Sequence, residues 1–588
     1  MKFGELATYL QKLEGTAGRN DMTVILAELF AKSEPEEAKL IAYMTQGKLG
    51  PAYKSPDFGV ADKSMLKALG PQAKTIFDKA GDLGLVIEKI KSNSLPADAT
   101  HQALQAGKNQ NIKQVYEKLW EIATISGTGS VDRKQELIAS LLSDLDPVGA
   151  KYAVKILLGK LRTGFSDMTV LDSLSWMLVG SKKLKSQIES MYNVRADLGE
   201  IVKLIKQHKQ PRQLNPEIGT PILMARCERA KTPEEIWERN NVCALEYKLD
   251  GLRIQAHITK NQIHKSTNSQ IKFKNQNSNI KLFSRGLEDV THMYPDICEG
   301  LAKQIKANCI VEGEMIALGP KGNFLPFQET VVRKRKYDIG DMAKKVPLSI
   351  YLFDVLMIDG KNMMHETNEN RRERLEKLYL AGDTAKLMPR KKIEKEIEIE
   401  EFFQLALKAG TEGIIAKKLD GEYQAGARDF SWIKYKKSYD QSTMADTLDV
   451  VVMGYDEGQG KRSKFGIGDF LAGVYDPVSE KYFTVAKVGT GLTDEEWRRM
   501  KKLLSAQCSV LNKKPENYNV QKQMDCDHWV NPKIVVELLA DEITKSPMHT
   551  SGYALRFPRL VSWREKLPTD TTSLSELKKM FELQKAGS

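Results

Sequence analysis

The sequence predicts a multidomain chain: an all-helical part, a mixed α/β part and a small β-barrel, in that order. Apolar residues recur at three- and four-residue spacing over the first 210 positions. Short strand-like runs then alternate with turns and a few helices, and strand-like runs dominate again near the end. A length of 588 residues suits three or four domains. We therefore expect domains at 1–210, 211–440 and 441–588.

The helical part is defined by amphipathic runs between breakers such as Gly50-Pro51 and Asp146-Pro147. The spacing predicts helices at Phe3–Leu13, Met22–Lys32, Gln135–Leu145 and Ala150–Leu161. Three prolines between His208 and Pro221 indicate a linker that ends this part.

Strand-like runs define the other two parts. In the central part they are Ala244–Lys248, Leu252–Ile258, Cys309–Ile316, Leu348–Leu356, Gly413–Lys417 and Trp432–Lys436. In the last part they are Leu448–Tyr455, Phe470–Tyr475, Lys481–Val488 and Ile534–Ile543, a series typical of a small barrel. Residues Ser573–Gln584 predict a terminal helix.

Composition narrows the class of protein. A net charge of +12 favours a polyanionic partner such as nucleic acid, although a merely basic surface explains it equally well. No run of 18 apolar residues is present, so we expect no membrane span, and the N-terminus lacks the pattern of a secretion signal. The six cysteines form no CxxC pair, which argues against a zinc site or a disulfide framework and favours a reducing, cytoplasmic location.

The segment Glu246-Tyr247-Lys248-Leu249-Asp250-Gly251-Leu252-Arg253 carries the strongest chemical signal. Asp250-Gly251 between two strand-like runs predicts a tight hairpin, and period-two alternation puts Glu246 and Lys248 on one face. A lysine beside a turn, opposite Arg253, can meet a phosphate. Lysine attacks only as the neutral amine, so we expect burial or nearby cations to lower its pKa. The alternative is an exposed hairpin with ordinary charges.

This segment resembles motif I of the covalent nucleotidyltransferases, which comprise DNA ligases, RNA ligases and mRNA capping enzymes. Five further segments resemble the family's motifs Ia, III, IIIa, IV and V in the family's order: Ser284-Arg285-Gly286, Val311-Glu312-Gly313-Glu314, Tyr351-Leu352-Phe353-Asp354, Glu412-Gly413-Ile414-Ile415-Ala416-Lys417 and Trp432-Ile433-Lys434-Tyr435-Lys436. Six ordered matches identify the chain as a member of this superfamily.

The resemblance implies a role for each matching residue. Lys248 is the nucleophile that takes AMP. Nucleotide contacts are implied for Glu246 (adenine amino group), Arg253 (ribose or a phosphate), Arg285 (AMP and the 5′-phosphate end), Glu314 (ribose hydroxyls), Phe353 (adenine stacking), Arg428 (nucleotide), and Lys434 and Lys436 (α-phosphate charge). Glu314 and Glu412 are implied as carboxylate ligands of Mg²⁺. Without the motif order, Phe353 reads as core and the two lysines as a solvated strand face.

Two further segments resemble DNA ligases within the superfamily. A helical part before motif I is similar to the domain with which larger ATP ligases clamp duplex DNA. Its turn at 159–166 carries Lys160, Arg162 and Thr163 at a helix start, a sensible phosphate site or else an ordinary turn. Phe327-Gln328-Glu329, with the basic run that follows, resembles the archaeal-type DNA ligases, and Arg333, Arg335 and Lys336 are implied as contacts to the DNA backbone.

One motif departs from the family pattern. Motif VI usually reads Arg-x-Asp-Lys, whereas Trp563-Arg564-Glu565-Lys566 lacks the aspartate and is one residue short. The resemblance implies that Arg564 still acts at the pyrophosphate, and we expect Lys566 to lie outside the usual frame.

Together the motifs imply an archaeal-type, ATP-dependent DNA ligase with a nucleotidyltransferase (adenylation) domain and an OB-fold domain. It would seal nicks in duplex DNA during replication, repair and recombination. The implied cofactors are ATP and Mg²⁺, because no cysteine quartet of the NAD-dependent enzymes is present. The implied partner of the monomer is nicked double-stranded DNA, with a sliding clamp as a further candidate. The alternatives are an RNA ligase or guanylyltransferase, and a DNA-end-binding scaffold with a degenerate site.

Overall fold

The structure, a computed structural model, describes residues 1–586 except 17, 94–109, 162, 164, 261–279, 326, 335–337, 437–446, 459, 509 and 512. Its contacts divide the chain into two compact units, Met1–Tyr435 and Lys436–Ser588. The helical and central parts therefore share one unit, and the division into three domains stays a prediction.

The first 210 residues are helical in the described ranges, as the spacing predicts, and pack around one apolar core. Asp146-Pro147 separates two helices, as predicted, and it begins the second one, because the Asp146 carboxylate accepts a 2.8 Å hydrogen bond from the Gly149 amide. The helices are α1 Phe3–Glu14, α2 Arg19–Lys32, α3 Pro35–Met44, α4 Asp62–Leu69, α5 Ala73–Ala80, α6 Leu83–Asn93, α7 Ile112–Thr124, α8 Ser130–Ser143, α9 Pro147–Leu157, α10 Asp167–Val179, α11 Lys185–Val194 and α12 Leu198–His208.

The central part holds two sheets with helices on their outer faces. The strands are β1 Arg226–Arg229, β2 Cys243–Lys248, β3 Leu252–Ile258, β4 Ile280–Ser284, β5 Cys309–Ala317, β6 Leu348–Ile358, β7 Lys361–Asn362, β8 Ala385–Leu387, β9 Arg390–Ile393, β10 Gly413–Lys418 and β11 Arg428–Lys436. Among the described residues, the five-stranded sheet has the order β1-β11-β10-β2-β9, and the six-stranded sheet has the order β4-β3-β5-β6-β7 with β8 beside β6. The helices are α13 Pro233–Asn240, α14 Pro295–Gln304, α15 Phe327–Val331, α16 Ile339–Lys345, α17 Asn368–Leu378 and α18 Ile397–Lys408.

Apolar side chains fill three layers of the central part. Ile297 and Leu301 of α14 cover the outer face of the six-stranded sheet. Phe402 of α18 lies in the cluster that covers the five-stranded sheet. The layer between contains Phe353 of β6 and Trp432 of β11, whose ring centroids are 6.0 Å apart. Residues from both sheets therefore meet at this inner layer.

The predicted hairpin at Asp250-Gly251 is wrong. Strand β2 pairs with β9 and β10, whereas β3 pairs with β4 and β5, so the chain crosses here from one sheet to the other. A Cβ on Gly251 would lie 2.3 Å from the Met315 carbonyl oxygen, so only glycine fits this crossing. The turn dipeptide is real, but it joins two sheets and places Lys248 where they meet.

The second unit is built on one eight-stranded sheet and a two-stranded sheet, β19 with β20. Its strands are β12 Leu448–Asp456, β13 Asp469–Asp476, β14 Lys481–Val488, β15 Val510–Leu511, β16 Tyr518–Asn519, β17 His528–Val530, β18 Val535–Leu539, β19 Glu542–Lys545, β20 Tyr553–Arg556 and β21 Arg559–Arg564, with helices α19 Asp494–Gln507 and α20 Leu574–Ala586. The predicted strand Ile534–Ile543 is two strands in the structure, and the predicted terminal helix is present. No helix in the described ranges is long and apolar enough to cross a membrane.

A buried ion pair joins the six-stranded sheet to α17. Both side chains are 1% exposed, and Arg371 donates to the two Asp354 oxygens at 2.7 and 3.0 Å. We predict that Arg371→Met lowers the free energy of unfolding by about 3–5 kcal/mol, because it leaves a buried carboxylate without its partner. Urea denaturation followed by tryptophan fluorescence measures this loss. Arg374→Met, at an exposed position of the same helix, is the control, and equal losses in the two variants would contradict the prediction.

Candidate active site

Lys248 and Glu412 are brought together by backbone pairing. Strand β2 ends at Lys248, which lies opposite Gly413 of β10, and the Glu412 amide donates to the Lys248 carbonyl at 3.0 Å. The Lys248 side chain is 20% exposed, and its Nζ donates a short hydrogen bond to Glu412. The predicted nucleophile and the predicted metal ligand therefore touch.

Charges around Lys248 differ from the prediction. Burial lowers the pKa of Lys248, but the Glu412 carboxylate and, more weakly, Glu314 outweigh this effect, so that the pKa is raised. The sequence predicts a pKa lowered by burial or by nearby cations. The sequence shows the cation Arg253 close along the chain, but the nearest charges in space come from residues 66 and 164 positions away.

Glu314 is the second carboxylate of this site. It lies on β5 opposite Arg253 of β3, and burial raises the pKa of its carboxyl group to about 7. Glu412 adds to this rise, whereas Lys248 and Arg253 oppose it. The described residues contain no group of three or more His, Cys, Asp or Glu side chains that could hold a metal ion. A cation here would need further oxygen ligands from a substrate.

Arg253 is held by protein groups. Its Nη1 donates to the Ala225 carbonyl and its Nη2 to Glu312, both at 2.7 Å. The Tyr423 hydroxyl donates to the same Glu312 oxygen at 2.9 Å. Arg253 Nε is buried and has no hydrogen-bond partner in the structure. A ligand contact through Nε is consistent with the predicted ribose or phosphate role.

Glu246 and Phe353 are joined by a residue to which the sequence reasoning gave no role. Lys417 is 1% exposed, and its Nζ lies 2.7 Å from Glu246. The same Nζ lies 4.6 Å from the centroid of the Phe353 ring and 4.2 Å from that of Trp432. Lys417 is the last residue of the motif IV segment and Trp432 is the first residue of motif V. Their positions in these motifs are the sequence feature that indicates a role in the site.

Cations from four strands act on one cysteine, Cys227 of β1. Burial raises the pKa of the Cys227 thiol, and four cations oppose that rise: Arg253, Lys248, Lys417 and Lys434. Lys434 therefore acts on the same thiol as Lys248. Lys436, two residues further along the strand, is partly buried. Arg285, in the turn after β4, and Arg428, at the start of β11, are exposed. The structure shows no contact of these two with Lys248.

Comparison with known proteins agrees with this arrangement. Three family profiles match: "DNA ligase N terminus" at residues 2–175, "ATP dependent DNA ligase domain" at 223–436 and "ATP dependent DNA ligase C terminal region" at 463–567. A "Probable DNA ligase" from Dictyoglomus turgidum is 42% identical, and the match spans 100% of this chain and 98% of that protein.

The chain belongs to the ATP-dependent DNA ligase family. A "DNA ligase" from Sulfolobus acidocaldarius is 36% identical over 99% of this chain and 98% of its own length. The solved structure "Pmar-Lig_PreS3" covers 95% of this chain and 99% of its own with a TM-score of 0.52, and at 15% identity this likeness shows the fold alone. A lysine–AMP intermediate is the general mechanism of the family.

The motif VI residues of the ligase lie in the second unit. Arg564 Nε lies 3.2 Å from Asp449 and Nη2 lies 2.7 Å from Glu537, while Lys566 Nζ lies 2.5 Å from Asp449. Arg564 and Lys566 therefore share one carboxylate, and both side chains remain more than 40% exposed. The nucleotide role predicted for Arg564 requires its two ion pairs to open.

Three of the predicted DNA contacts lie in described residues. Arg333 is a correction: its side chain is fully buried, bound to Asp296 at 2.7 Å and to the Val346 carbonyl at 2.8 Å, so it anchors the ligase fold instead of facing a DNA backbone. Thr163 is also buried, and the phosphate site predicted at its turn, which rests on backbone N–H groups, stays a prediction. Lys160 is half exposed and paired with Asp62 at 2.8 Å. Arg162, Arg335 and Lys336 lie outside the described residues.

The Glu312 carboxylate is expected to control how Arg253 meets the nucleotide. We predict that Glu312→Gln slows self-adenylation of the ligase by roughly 10- to 100-fold, because a buried guanidinium loses its charged partner. Transfer of α-labelled phosphate from ATP to the protein measures this rate. Glu398→Gln is the control, because Glu398 pairs with the partly exposed Lys391 and its other hydrogen bonds are from the Glu394 and Lys395 amides, which a glutamine oxygen can still accept. Equal rates in the two variants would refute the role.

Proposed function

We propose that this ligase seals 5′-phosphate/3′-hydroxyl nicks in duplex DNA with ATP, through an AMP–lysine phosphoramidate on Lys248. The observation that carries the proposal is the position of Lys248: its amine meets Glu412 and lies near Glu314, where the two sheets of the central part meet. Arg253, Lys417 and Lys434 act together with Lys248 on the Cys227 thiol, so this part of the protein concentrates charge suited to a triphosphate.

In the first step, Lys248 Nζ attacks the α-phosphorus of ATP. The new P–N bond replaces the bond to pyrophosphate, which leaves, and the proton of the amine is lost to its surroundings. Lys434 and Lys436 neutralise charge that builds on the α-phosphate, and Arg285, Arg428 and Arg564 bind the phosphates or ribose. Positioning and charge neutralisation carry the catalysis, as in other phosphoryl transfers.

Glu314 and Glu412 fit a Mg²⁺ site only in part. Mg²⁺ prefers carboxylates combined with substrate phosphates, and the two partly buried carboxylates meet the protein's share of that demand. Bound Mg²⁺ would supply positive charge that competes with Lys248 for both carboxylates and thereby favours the neutral amine.

Two transfers complete the reaction. An oxygen of the nick's 5′-phosphate attacks the AMP phosphorus, the P–N bond breaks, and Lys248 regains its amine. The nick's 3′-hydroxyl then attacks the activated 5′-phosphate, which joins the strands and releases AMP. Lys248 is bonded to AMP only until the first of these two transfers. A nick that already carries AMP therefore needs no covalent bond to Lys248 for its sealing.

The proposal extends to domains and partners. Residues 441–588 form an OB-fold domain. Residues 1–210 bind nicked duplex DNA, and the net charge of +12 of the chain supports this binding. The enzyme acts as a monomer in the cytoplasm, where its six free cysteines stay reduced, and a sliding clamp is a candidate partner.

Replacement of the nucleophile gives the first test. We predict that Lys248→Ala abolishes label transfer from α-labelled ATP and the sealing of a 5′-phosphate nick, yet still seals a nick that already carries AMP. Lys418→Ala, an exposed lysine of neighbouring strand β10, should keep all three activities. A labelled adduct on the Lys248→Ala protein would place the nucleophile elsewhere.

Arg564 gives the second test. We predict that Arg564→Ala weakens the transition state of self-adenylation by roughly 2–4 kcal/mol, because departing pyrophosphate loses a charge-assisted partner. Sealing of pre-adenylated nicks should change far less, since no pyrophosphate leaves in that step. Lys566→Ala, which removes the other cation on Asp449, should have the smaller effect. Equal losses in both steps for Arg564→Ala would indicate a purely structural role.

A further inference from the structure

Two buried polar atoms beside Lys417 have no hydrogen-bond partner among the described residues. They are Oε1 of Glu246 and Nη1 of Arg390, which lie 3.7 Å apart. The two residues are directly opposite each other on the paired strands β2 and β9, and their side chains are 2% and 11% exposed. Buried polar groups in proteins are ordinarily hydrogen-bonded, so an open acceptor next to an open donor points to a ligand that completes both.

Lys417 places this open pair in the nucleotide pocket. Its Nζ binds the other Glu246 oxygen, Oε2, at 2.7 Å, which leaves Oε1 open. The same Nζ donates to the Phe353 carbonyl at 3.4 Å and lies 4.6 Å from the Phe353 ring. Glu246 and the ring proposed to stack on the base therefore contact the same Lys417 amine.

We infer that Glu246 and Arg390 together read the base of ATP. Glu246 Oε1 accepts a hydrogen bond from the exocyclic amine, and Arg390 Nη1 donates to the ring nitrogen beside that amine. This inference rests on the proposed function, and it adds Arg390 as a residue that determines base selectivity. Adenine carries an amine donor beside a ring-nitrogen acceptor, which matches an acceptor–donor pair.

Guanine does not match the same pair. Its carbonyl oxygen replaces the amine, so an acceptor would face the Glu246 carboxylate. A site built to bind a particular polar group rejects an analogue that lacks it, because its own buried groups are then left open. Arg390 is not needed merely to neutralise Glu246, since Lys417 already forms the closer ion pair.

Base analogues test the Arg390 contact directly. The rate of self-adenylation of the full chain would be measured with ATP, with 1-deaza-ATP and 7-deaza-ATP, which each lack one ring nitrogen, and with purine riboside triphosphate, which lacks the amine. We expect the wild-type protein to prefer ATP to one of the two deaza analogues by roughly tenfold or more in kcat/KM, the effect of one hydrogen bond to a charged group. It should also prefer ATP to purine riboside triphosphate.

In Arg390→Met the preference over that deaza analogue should disappear, while the preference over purine riboside triphosphate, which Glu246 reads, should remain. Ratios between substrates cancel any general loss of folded protein. Lys391→Met is the matched control, because Lys391 is on the same strand, half exposed, and paired only with Glu398 at 2.9 Å. All of its ratios should equal those of the wild type.

Two results would overturn the inference. One is a wild-type protein that uses ATP and both deaza analogues equally well, and this measurement does not depend on the folding of any variant. The other is an Arg390→Met protein that loses rate equally with every substrate, which would make Arg390 a counter-ion alone. Neither result touches the proposed function, which fails separately if the wild-type protein forms no labelled adduct with ATP.

Discussion

The pairing of β2 with β10 is the constraint on which the active site depends. Its register sets Lys248 against Gly413, so that Glu412, 164 residues away in sequence, receives the lysine's hydrogen bond. The same register holds Glu246 two residues earlier on the same face. A shift of one residue would turn both side chains away from the pocket, because neighbouring residues of a strand face opposite sides.

The site draws its charges from two sheets as matched pairs. Lys248 with Glu412 and Lys417 with Glu246 lie on the five-stranded sheet, and Arg253 with Glu312 lies on the six-stranded sheet. Each buried cation is thereby paired before any nucleotide arrives, which limits the cost of burying charge. Lys434 is a further cation of this site, and its charge can compensate part of the negative charge of an incoming triphosphate. This charge compensation is consistent with the lysine–AMP chemistry of the family.

The sequence predicted the parts of this site better than their connections. The ordered motifs identify the family and predict Lys248, Glu314 and Glu412 as site residues, because the chemistry restricts which residue types can occupy those positions. Periodicity is local, however, and it does not tell which strands pair, so it predicts a hairpin at Asp250-Gly251 where the chain crosses between sheets.

The wrong prediction for Arg333 has a similar cause. Its partner Asp296 is 37 residues away, and a basic run does not show that one of its members is buried. Arg390 lies outside every motif and became visible only through its register with Glu246.

The central claim is that Lys248 carries the AMP, although Lys417 and Lys434 lie in the same pocket. Peptide mapping by mass spectrometry tests it most directly: the protein is incubated with ATP and Mg²⁺, digested under conditions that preserve phosphoramidates, and each lysine-containing peptide is examined for bound AMP. The account predicts AMP on the peptide that contains Lys248, with fragmentation assigning it to that residue. AMP on Lys417, Lys434 or any other lysine, with Lys248 unmodified, would contradict it.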